Sequence, residues 1–329
     1  MPKLRILDFS SFSEEVFHEM MDSYIDPSRY EVVRIGKNSS EDRVHRMVKD
    51  AEIILTDPLH FNPVTRRIIE AGDKLRLIQC YTIGFDDVDV KAARERGIPV
   101  ANNVGVTARS MAEYTIMASI YLLKNIGLAH TEFMKGNWVQ QMLLTPAYNP
   151  HELGSVTLGI LGCGNIGQEV AKLARVFGSR ILYHKRNRLP EDVEQSLGLE
   201  YTSFEDLLRR SDVLSINLPL TSETQGIMGA AELYNMKQGA VLVNTSRGGI
   251  VDEKALADAL ASGHLRGAAV DVFENEPNIS SCPLLGLKNV LLTPHSSAIS
   301  SGTMKRSPVM VVENLNRIYE GKLPLRIVN

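Results

Sequence analysis

Short apolar runs recur along the chain and are separated by stretches with helical spacing. In the first hundred residues they predict strands at 4–7, 31–35, 53–56, 75–81 and 99–102. The intervening pattern predicts helices that include 40–49 and 64–71. An alternation of strand and helix is typical of a parallel sheet that is covered by helices on both faces.

A second alternating series begins at residue 157, after a predicted helix from Ala108 to about Lys124. Strands are predicted at 157–161, 180–184, 213–217, 240–244, 267–272 and 290–293. Helices are predicted at 166–177, 203–210, 230–236, 253–262 and 308–319. Ser307 is expected to be the N-cap of the last helix and Pro308 its first residue. Six strands are enough for a complete dinucleotide-binding sheet.

The segment 134–154 shows neither the helical nor the strand period, and it contains several glycines and prolines together with Trp138. Long loops of this kind are usually functional or packed against a partner. An exposed apolar stretch from Trp138 to Leu144 is unfavourable on a monomer, so we expect this segment to be the arm of a homodimer.

A glycine-rich turn follows the first strand of the second series. Its pattern is Gly162-x-Gly164-x-x-Gly167, placed between an apolar run and a helical pattern. The first glycine allows a tight turn, the second lets the backbone approach a pyrophosphate, and the third lets helix and strand pack closely. The helix N-terminus then offers free N–H groups to the phosphates. Strand, turn and helix in this order predict a dinucleotide site.

Three further segments with chemically useful side chains follow predicted strands and contain Arg247, Glu276 and His295. Taken singly, Arg247 fits a solvated loop residue, Glu276 a turn residue and His295 a structural histidine. As a set they supply an anion-binding fork, a proton donor and a carboxylate that favours the protonated donor. Reversible hydride transfer to a 2-oxo acid requires these groups, with the hydride supplied by the cofactor.

Composition and the absence of certain motifs limit the partners and the reactions expected of this chain. The net charge is −3 and no basic stripe is present, which argues against nucleic acid. No apolar run is long enough for a transmembrane helix, so no membrane partner is expected. Three scattered cysteines without a CxxC pair fit a reducing cytoplasm. The absence of HExxH, P-loop and GxSxG motifs argues against metal, phosphoryl-transfer and serine-hydrolase chemistry.

The chain resembles the D-isomer-specific 2-hydroxyacid dehydrogenase family. The resemblance spans nearly the whole chain, and the motifs occur in the family's order. They are Tyr81–Asp89, Ala112–Glu113, Leu161–Gly167, Asn244–Gly249, Asp271–Pro277 and Thr293–His295.

The resemblance implies two doubly wound α/β domains with parallel sheets. A flavodoxin-like substrate domain would comprise residues 1–103 and 296–329, and a Rossmann cofactor domain, residues 104–295, would be inserted into it. The implied enzyme transfers a hydride between NAD(P)H and a small 2-oxo acid to give a D-2-hydroxy acid, as glyoxylate and hydroxypyruvate reductases do. The active site would lie in the cleft between the domains.

The resemblance also implies roles for individual residues. Arg247 would hold the substrate's carboxylate and carbonyl, His295 would be the acid/base, and Glu276 would be its partner. The backbone at Ile83 and Gly84 would bind the substrate carboxylate. The expected cofactor contacts are Thr107, Gly162, Gly164, Asn165, Ile166, Gly167, Lys185, Arg186 and Asp271.

The residues after the predicted strand 180–184 bear on the choice of cofactor. NAD-selective members carry an acidic residue there, whereas this chain has Lys185 and Arg186, which would pair with a 2′-phosphate. We therefore predict NADP(H) over NAD(H), although a solvated basic loop with loose selectivity would show the same residues.

Two alternatives stay open. One is a dinucleotide-sensing protein that resembles the corepressors of this fold. The other is a dehydrogenase of phosphite or of a larger sugar acid. The sequence does not identify the particular substrate.

Overall fold

A computed structural model describes residues 2–37, 39–58 and 61–329. The chain forms two compact units. Unit 1 comprises the residues up to Thr107 together with Ile299–Asn329, and unit 2 comprises Ala108–Ala298. The domain bounds 1–103, 104–295 and 296–329 remain predictions.

The described part of unit 1 contains a five-stranded parallel sheet and its covering helices. The strands are β1 (Leu4–Asp8), β2 (Tyr30–Arg34), β3 (Ile53–Leu55), β4 (Leu77–Gln79) and β5 (Val100–Ala101). The helices are α1 (Glu14–Met21), α2 (Glu41–Met47), α3 (Arg66–Ala71), α4 (Val90–Glu95) and α13 (Ser301–Tyr319), with a 3₁₀ turn at Val48–Asp50. The strand order β2-β1-β3-β4-β5 is the flavodoxin-like order.

Alternation along the strands of unit 1 builds two apolar layers. Neighbouring residues of β1 point to opposite faces, so Ile6 packs in one cluster and Leu7 in the other. Both are essentially inaccessible to solvent. The sheet is therefore covered on both faces, as the alternating pattern predicted.

Unit 2, all of whose residues are described, contains a seven-stranded parallel sheet. Its strands are β6 (Thr157–Leu161), β7 (Arg180–His184), β8 (Leu199–Tyr201), β9 (Val213–Ile216), β10 (Val241–Asn244), β11 (Gly267–Val270) and β12 (Val290–Leu292). Its helices are α5 (Ala108–Leu123), α6 (Ile126–Met134), α7 (Gln140–Leu143), α8 (Asn165–Phe177), α9 (Glu191–Leu197), α10 (Phe204–Arg210), α11 (Ala230–Asn235) and α12 (Glu253–Ala261), with a 3₁₀ turn at Leu153–Ser155.

The order of this sheet, β8-β7-β6-β9-β10-β11-β12, contains the Rossmann arrangement, with the direction of winding reversed between β6 and β9. Ligands of open α/β sheets bind outside the carboxyl ends of the strands at such a reversal. The glycine turn after β6 is at this position.

The structure corrects three details of the sequence interpretation. The sheet of unit 2 has seven strands rather than six, because β8 pairs with β7 as a short edge strand. The last helix begins at Ser301 and Pro308 lies inside it, because the Ser300 hydroxyl caps the N–H of Thr303 at 3.1 Å. The prediction that Ser307 is the N-cap is therefore wrong.

The third detail concerns the segment 134–154, for which the sequence predicted no helix. This segment contains the short helix α7, and the helices before it, α5 and α6, are separate. Between α5 and α6, Asn125 adopts a left-handed backbone with φ 55°.

In the part of the chain that the structure describes, no helix is long and apolar enough to cross a membrane.

Candidate active site

The glycine turn connects β6 to α8 and has the geometry that its pattern predicts. Gly162 has φ +90°, and a Cβ there would lie 2.7 Å from the Asn217 carbonyl oxygen. A Cβ at Gly167 would lie 2.7 Å from the Gly162 oxygen and 2.9 Å from Ile160 Cγ2. The turn therefore packs too closely against the segment after β9, and the start of α8 too closely against the turn and β6, for a side chain at these two positions.

Gly164 differs from the other two glycines, because a Cβ at this position would meet no atom within 4 Å. It is the N-cap of α8, and no side chain caps the helix there. Asn165 and Ile166 form the first turn, so their end of the helix presents unsatisfied N–H groups. Space beside the backbone together with a bare helix N-terminus fits the pyrophosphate of a dinucleotide.

Two polar atoms at neighbouring strand ends add to this fit. Asn217 Oδ1 follows β9 and Thr245 Oγ1 follows β10, and both are buried without a hydrogen-bond partner among the described residues. Buried polar atoms in folded proteins are almost always satisfied. Their position at the carboxyl edge of the sheet is consistent with a bound ligand that supplies the missing partner.

The turn after β7 contains the basic residues predicted to select the cofactor. Arg188 forms two hydrogen bonds of 2.8 Å with the Glu194 carboxylate, which also accepts a hydrogen bond from the Tyr183 hydroxyl. These bonds lower the pKa of Glu194 to about 2. No described residue pairs with Lys185 or Arg186, and Arg186 is exposed. Arg188 is thus engaged by Glu194, whereas Lys185 and Arg186 form no hydrogen bond with a described residue.

Arg247 lies in a turn directly after β10. The Asn244 side chain accepts hydrogen bonds from the Ser246 N–H at 3.1 Å and the Ser246 hydroxyl at 2.7 Å. A Cβ at Gly248 would collide with the Phe273 carbonyl, so this turn packs directly against the segment after β11. Glu276 belongs to that segment, and the charge of Arg247 contributes to lowering its pKa.

Glu276 and His295 meet side by side although they follow different strands. His295 Nδ1 lies 2.7 Å from Glu276 Oε2, and Glu276 Oε1 accepts a hydrogen bond of 2.7 Å from the Phe273 N–H. Burial raises the pKa of Glu276, but the hydrogen bonds from His295 and the Phe273 N–H, together with the charges of His295 and Arg247, leave the pKa below its ordinary value. An ionised carboxylate at Nδ1 orients the ring and stabilises its protonated form.

The loop that carries His295 is anchored by Asp271, which is fully buried. The Asp271 carboxylate accepts hydrogen bonds from Thr293 Oγ1 at 2.6 Å, from the Ser296 N–H at 2.8 Å and from the Ser297 N–H at 2.9 Å. His295 has φ 52°, a costly backbone for a non-glycine residue, which the surrounding bonds must maintain. Strain of this kind is concentrated at functional sites.

Asp271 was predicted to bind the cofactor, and that role stays a prediction. Its contacts in the structure are those of an anchor for the His295 loop. Sequence reasoning missed Thr293 and Tyr114 as parts of this anchor; the Tyr114 hydroxyl lies 2.6 Å from Thr293 Oγ1. Thr293 is two residues before His295 in the Thr-Pro-His motif, which is the one sequence signal for it.

The remaining predicted residues lie in unit 1. Thr107 is buried at the end of its first segment, directly before α5. Ile83 and Gly84 lie in the loop after β4 and are partly exposed. Unit 2 by itself brings together the glycine turn, Arg247, Glu276 and His295 at strand ends of one sheet.

A Rossmann sheet with a histidine–carboxylate pair and an arginine at its carboxyl edge is typical of the class of dinucleotide-dependent oxidoreductases. Comparison with known proteins identifies the family. Residues 116–297 match the family model described as "D-isomer specific 2-hydroxyacid dehydrogenase, NAD binding domain". The chain belongs to this family, and its second unit binds a nicotinamide dinucleotide.

Similar proteins cover most of the chain. A glyoxylate reductase of Aeropyrum pernix is 42% identical over 80% of this chain and 78% of its own length. A glyoxylate reductase of Korarchaeum cryptofilum is 40% identical over 86% of this chain and 84% of its own. The crystal structure of a glyoxylate reductase from Paecilomyes thermophila has a TM-score of 0.85 and 34% identity, covering 100% of this chain and 99% of that one. The protein is an NAD(P)-dependent oxidoreductase that converts 2-oxo acids to D-2-hydroxy acids.

Proposed function

We propose that the protein is a reductase of glyoxylate, hydroxypyruvate or a similarly small 2-oxo acid, with Arg247, Glu276 and His295 as its catalytic residues. The observation that carries the proposal is the 2.7 Å contact of His295 Nδ1 with a partly buried Glu276 carboxylate, beside the turn of Arg247. The glyoxylate reductases similar to this chain support the substrate class.

The roles of the three side chains follow from their chemistry. Because Glu276 occupies Nδ1, His295 meets the substrate with Nε2 and gives its proton to the carbonyl oxygen during reduction. The Glu276 carboxylate stabilises the positive charge of the ring until the proton leaves. Arg247 binds the carboxylate and polarises the carbonyl with a rigid fork of N–H donors. When bound, the reduced dinucleotide supplies the hydride.

The proposal extends to the binding of substrate and cofactor. The backbone N–H groups of Ile83 and Gly84 bind the substrate carboxylate. Asn165, Ile166 and the three glycines of the turn hold the pyrophosphate, and Thr107 and Asp271 contribute to the cofactor site.

The preferred cofactor in this proposal is NADP(H). Lys185 and Arg186 form no hydrogen bond or close ion pair with a described carboxylate, and Arg186 acts on Glu223 only through its charge, whereas Arg188 is committed to Glu194. A 2′-phosphate forms charge-assisted hydrogen bonds with such cations, and one of these accounts for a preference of about ten- to a hundredfold.

The protein in this proposal is a cytoplasmic homodimer. Trp138 is 75% exposed and Leu144 is 81% exposed, which is unusual for large apolar residues of a monomer. Met117, Ile126 and Phe177 line an apolar groove between α5, α6 and α8 in the same unit. A second copy of the chain would cover both surfaces. Three buried, unpaired cysteines fit a reducing compartment.

A substrate and cofactor panel tests the proposal. Glyoxylate, hydroxypyruvate, pyruvate and longer 2-oxo acids are each assayed with NADH and with NADPH, and the product is analysed for its configuration. We expect the highest kcat/KM with a two- or three-carbon acid and NADPH. Equal or better efficiency with NADH contradicts the cofactor preference. Tight NADPH binding without turnover of any acid contradicts the reductase and favours a dinucleotide-sensing protein.

A further inference from the structure

The loop after β4 in unit 1 has all of its central carbonyl groups engaged. Tyr81 O accepts hydrogen bonds of 2.9 Å from Asn103 Nδ2 and from the Ser307 hydroxyl. Thr82 O accepts one of 2.9 Å from the backbone N–H of Asn103. Ile83 O accepts one of 2.8 Å from Asn102 Nδ2, and Gly84 O accepts one of 3.2 Å from the Thr82 hydroxyl.

The N–H groups of the same loop show the opposite pattern. No described residue accepts a hydrogen bond from the N–H of Ile83 or of Gly84, and both residues are partly exposed. Within a planar trans peptide, the carbonyl of one residue and the N–H of the next point in opposite directions. A bond that fixes the Ile83 carbonyl therefore also fixes the direction of the Gly84 N–H. The Thr82 carbonyl and the Ile83 N–H are coupled in the same way.

The side chain that fixes the Gly84 N–H belongs to Asn102. This residue is 6% exposed, so its amide is enclosed in the fold and is a poor ligand for a substrate. Its own backbone N–H bonds to Arg326 O at 3.2 Å, which ties it to the C-terminal segment. The amide can therefore hold the loop against a fixed support.

We propose that Asn102 is a positioning residue for recognition of the substrate carboxylate. Its side-chain amide holds the Ile83 carbonyl inward, and the N–H of Gly84 then points outward as one of two donors for the carboxylate. The inference rests on the proposed function, in which Ile83 and Gly84 bind that group.

Asn329 provides a matched control at the other end of β5. Its Nδ2 donates to Ile98 O at 2.8 Å, and its Oδ1 accepts a hydrogen bond from the Val100 N–H at 2.8 Å. It thus forms the same kind of amide-to-carbonyl bond in the same unit, before the strand rather than after it. Its removal perturbs unit 1 without touching the loop of residues 81–84.

The experiment compares Asn102→Ala, Asn102→Asp and Asn329→Ala with the unaltered enzyme. The Asp variant keeps the size of the side chain but lacks the N–H donor. We expect both Asn102 variants to raise the KM for glyoxylate and the inhibition constant of oxamate about tenfold, with kcat nearly unchanged, because a bond common to ground and transition states is lost. The NADPH dissociation constant, measured by titration calorimetry, should not change. Asn329→Ala should leave all four quantities near their original values.

Two results overturn the inference. One is an unchanged KM and oxamate constant in an Asn102 variant that folds with a normal melting temperature. The other is an equal rise in KM for Asn329→Ala, which would show a general loosening of unit 1. If the unaltered enzyme reduces no 2-oxo acid, the proposed function fails instead. If the unaltered enzyme reduces a 2-oxo acid but the Asn102 variants have its KM and its inhibition constant for oxamate, only the present inference fails and the proposed function stands.

Discussion

The carboxyl edges of the two sheets offer different chemistry. After β4 in unit 1, the loop presents the backbone N–H groups of Ile83 and Gly84, and the carbonyls of the same two peptides are held by the Asn103 N–H and by the Asn102 side chain. After β10, β11 and β12 in unit 2, the functional groups are side chains, and a histidine and a carboxylate are in direct contact. Backbone donors depend on the residues that support the loop, whereas side-chain chemistry depends on the single residue that carries the group. Truncation of a side chain to alanine should therefore affect catalysis more at the edge in unit 2 than at the edge in unit 1.

The largest effect is expected for His295→Ala. Loss of the proton donor should lower kcat/KM for glyoxylate by about 10²–10⁴-fold, since general acid catalysis contributes that much. Steady-state kinetics with NADPH measures it. His264→Ala is the control, because the His264 ring is likewise held by one hydrogen-bond contact, with Met236 O at 3.1 Å, but lies outside the proposed site. Near-normal activity of the His295 variant would refute its proposed role.

Substitutions at two glycines of the turn should have different effects, one on folding stability and the other on cofactor binding. A Cβ at Gly167 would press on the Gly162 oxygen, so Gly167→Ala should lower the free energy of unfolding by about 1–3 kcal/mol through overpacking. Gly164→Ala should leave thermal unfolding unchanged but weaken NADPH binding, because its Cβ enters the open space beside the helix N-terminus. Calorimetry of unfolding and of binding measures both. Equal affinity for NADPH in Gly164→Ala and the unaltered protein would contradict the proposal that this turn binds the phosphates of the cofactor.

Glu276→Gln should change the pH dependence of reduction. The lowered pKa keeps the Glu276 carboxylate ionised above the acidic range, where it stabilises protonated His295. The neutral amide of Gln cannot supply this charge at any pH, so kcat/KM should fall about tenfold at neutral pH. The loss of activity that protonation of Glu276 causes in the unaltered enzyme, as the pH falls through its lowered pKa, should be absent from the pH profile of the variant. A pH profile identical to that of the unaltered enzyme would show that Glu276 does not tune His295.

The smallest effect is expected for Ile83→Ala. The substitution removes a partly exposed side chain but keeps the N–H that is proposed to bind the carboxylate. We expect the KM for glyoxylate to change by no more than about twofold, as for a surface substitution. A tenfold increase would mean that the Ile83 side chain recognises the substrate, and the contrast between the two sheet edges would disappear.

Much of the fold was predictable because its signals are local. The glycine turn occupies six consecutive residues, and the structure confirms that 162 and 167 leave no room for a side chain. Short apolar runs predicted all five strands that the structure describes in unit 1. Strand β8 was missed because it has only three residues, and its pairing with β7 is a tertiary contact. The interior position of Pro308 was missed because the Ser-Pro pair resembles a helix start.

The sequence by itself determined the class of fold, the dinucleotide turn and the residue types of the candidate site, because each depends on spacing along the chain. Only the tertiary structure decided which groups meet. It joins His295 to Glu276, and it makes Asp271 the anchor of the His295 loop. It also commits Arg188 to Glu194 and leaves Lys185 and Arg186 without a hydrogen bond to a described residue. The physical reason is that a hydrogen bond requires atoms within about 3 Å, and residues far apart in sequence reach that distance only when strand ends are aligned at one edge of a sheet.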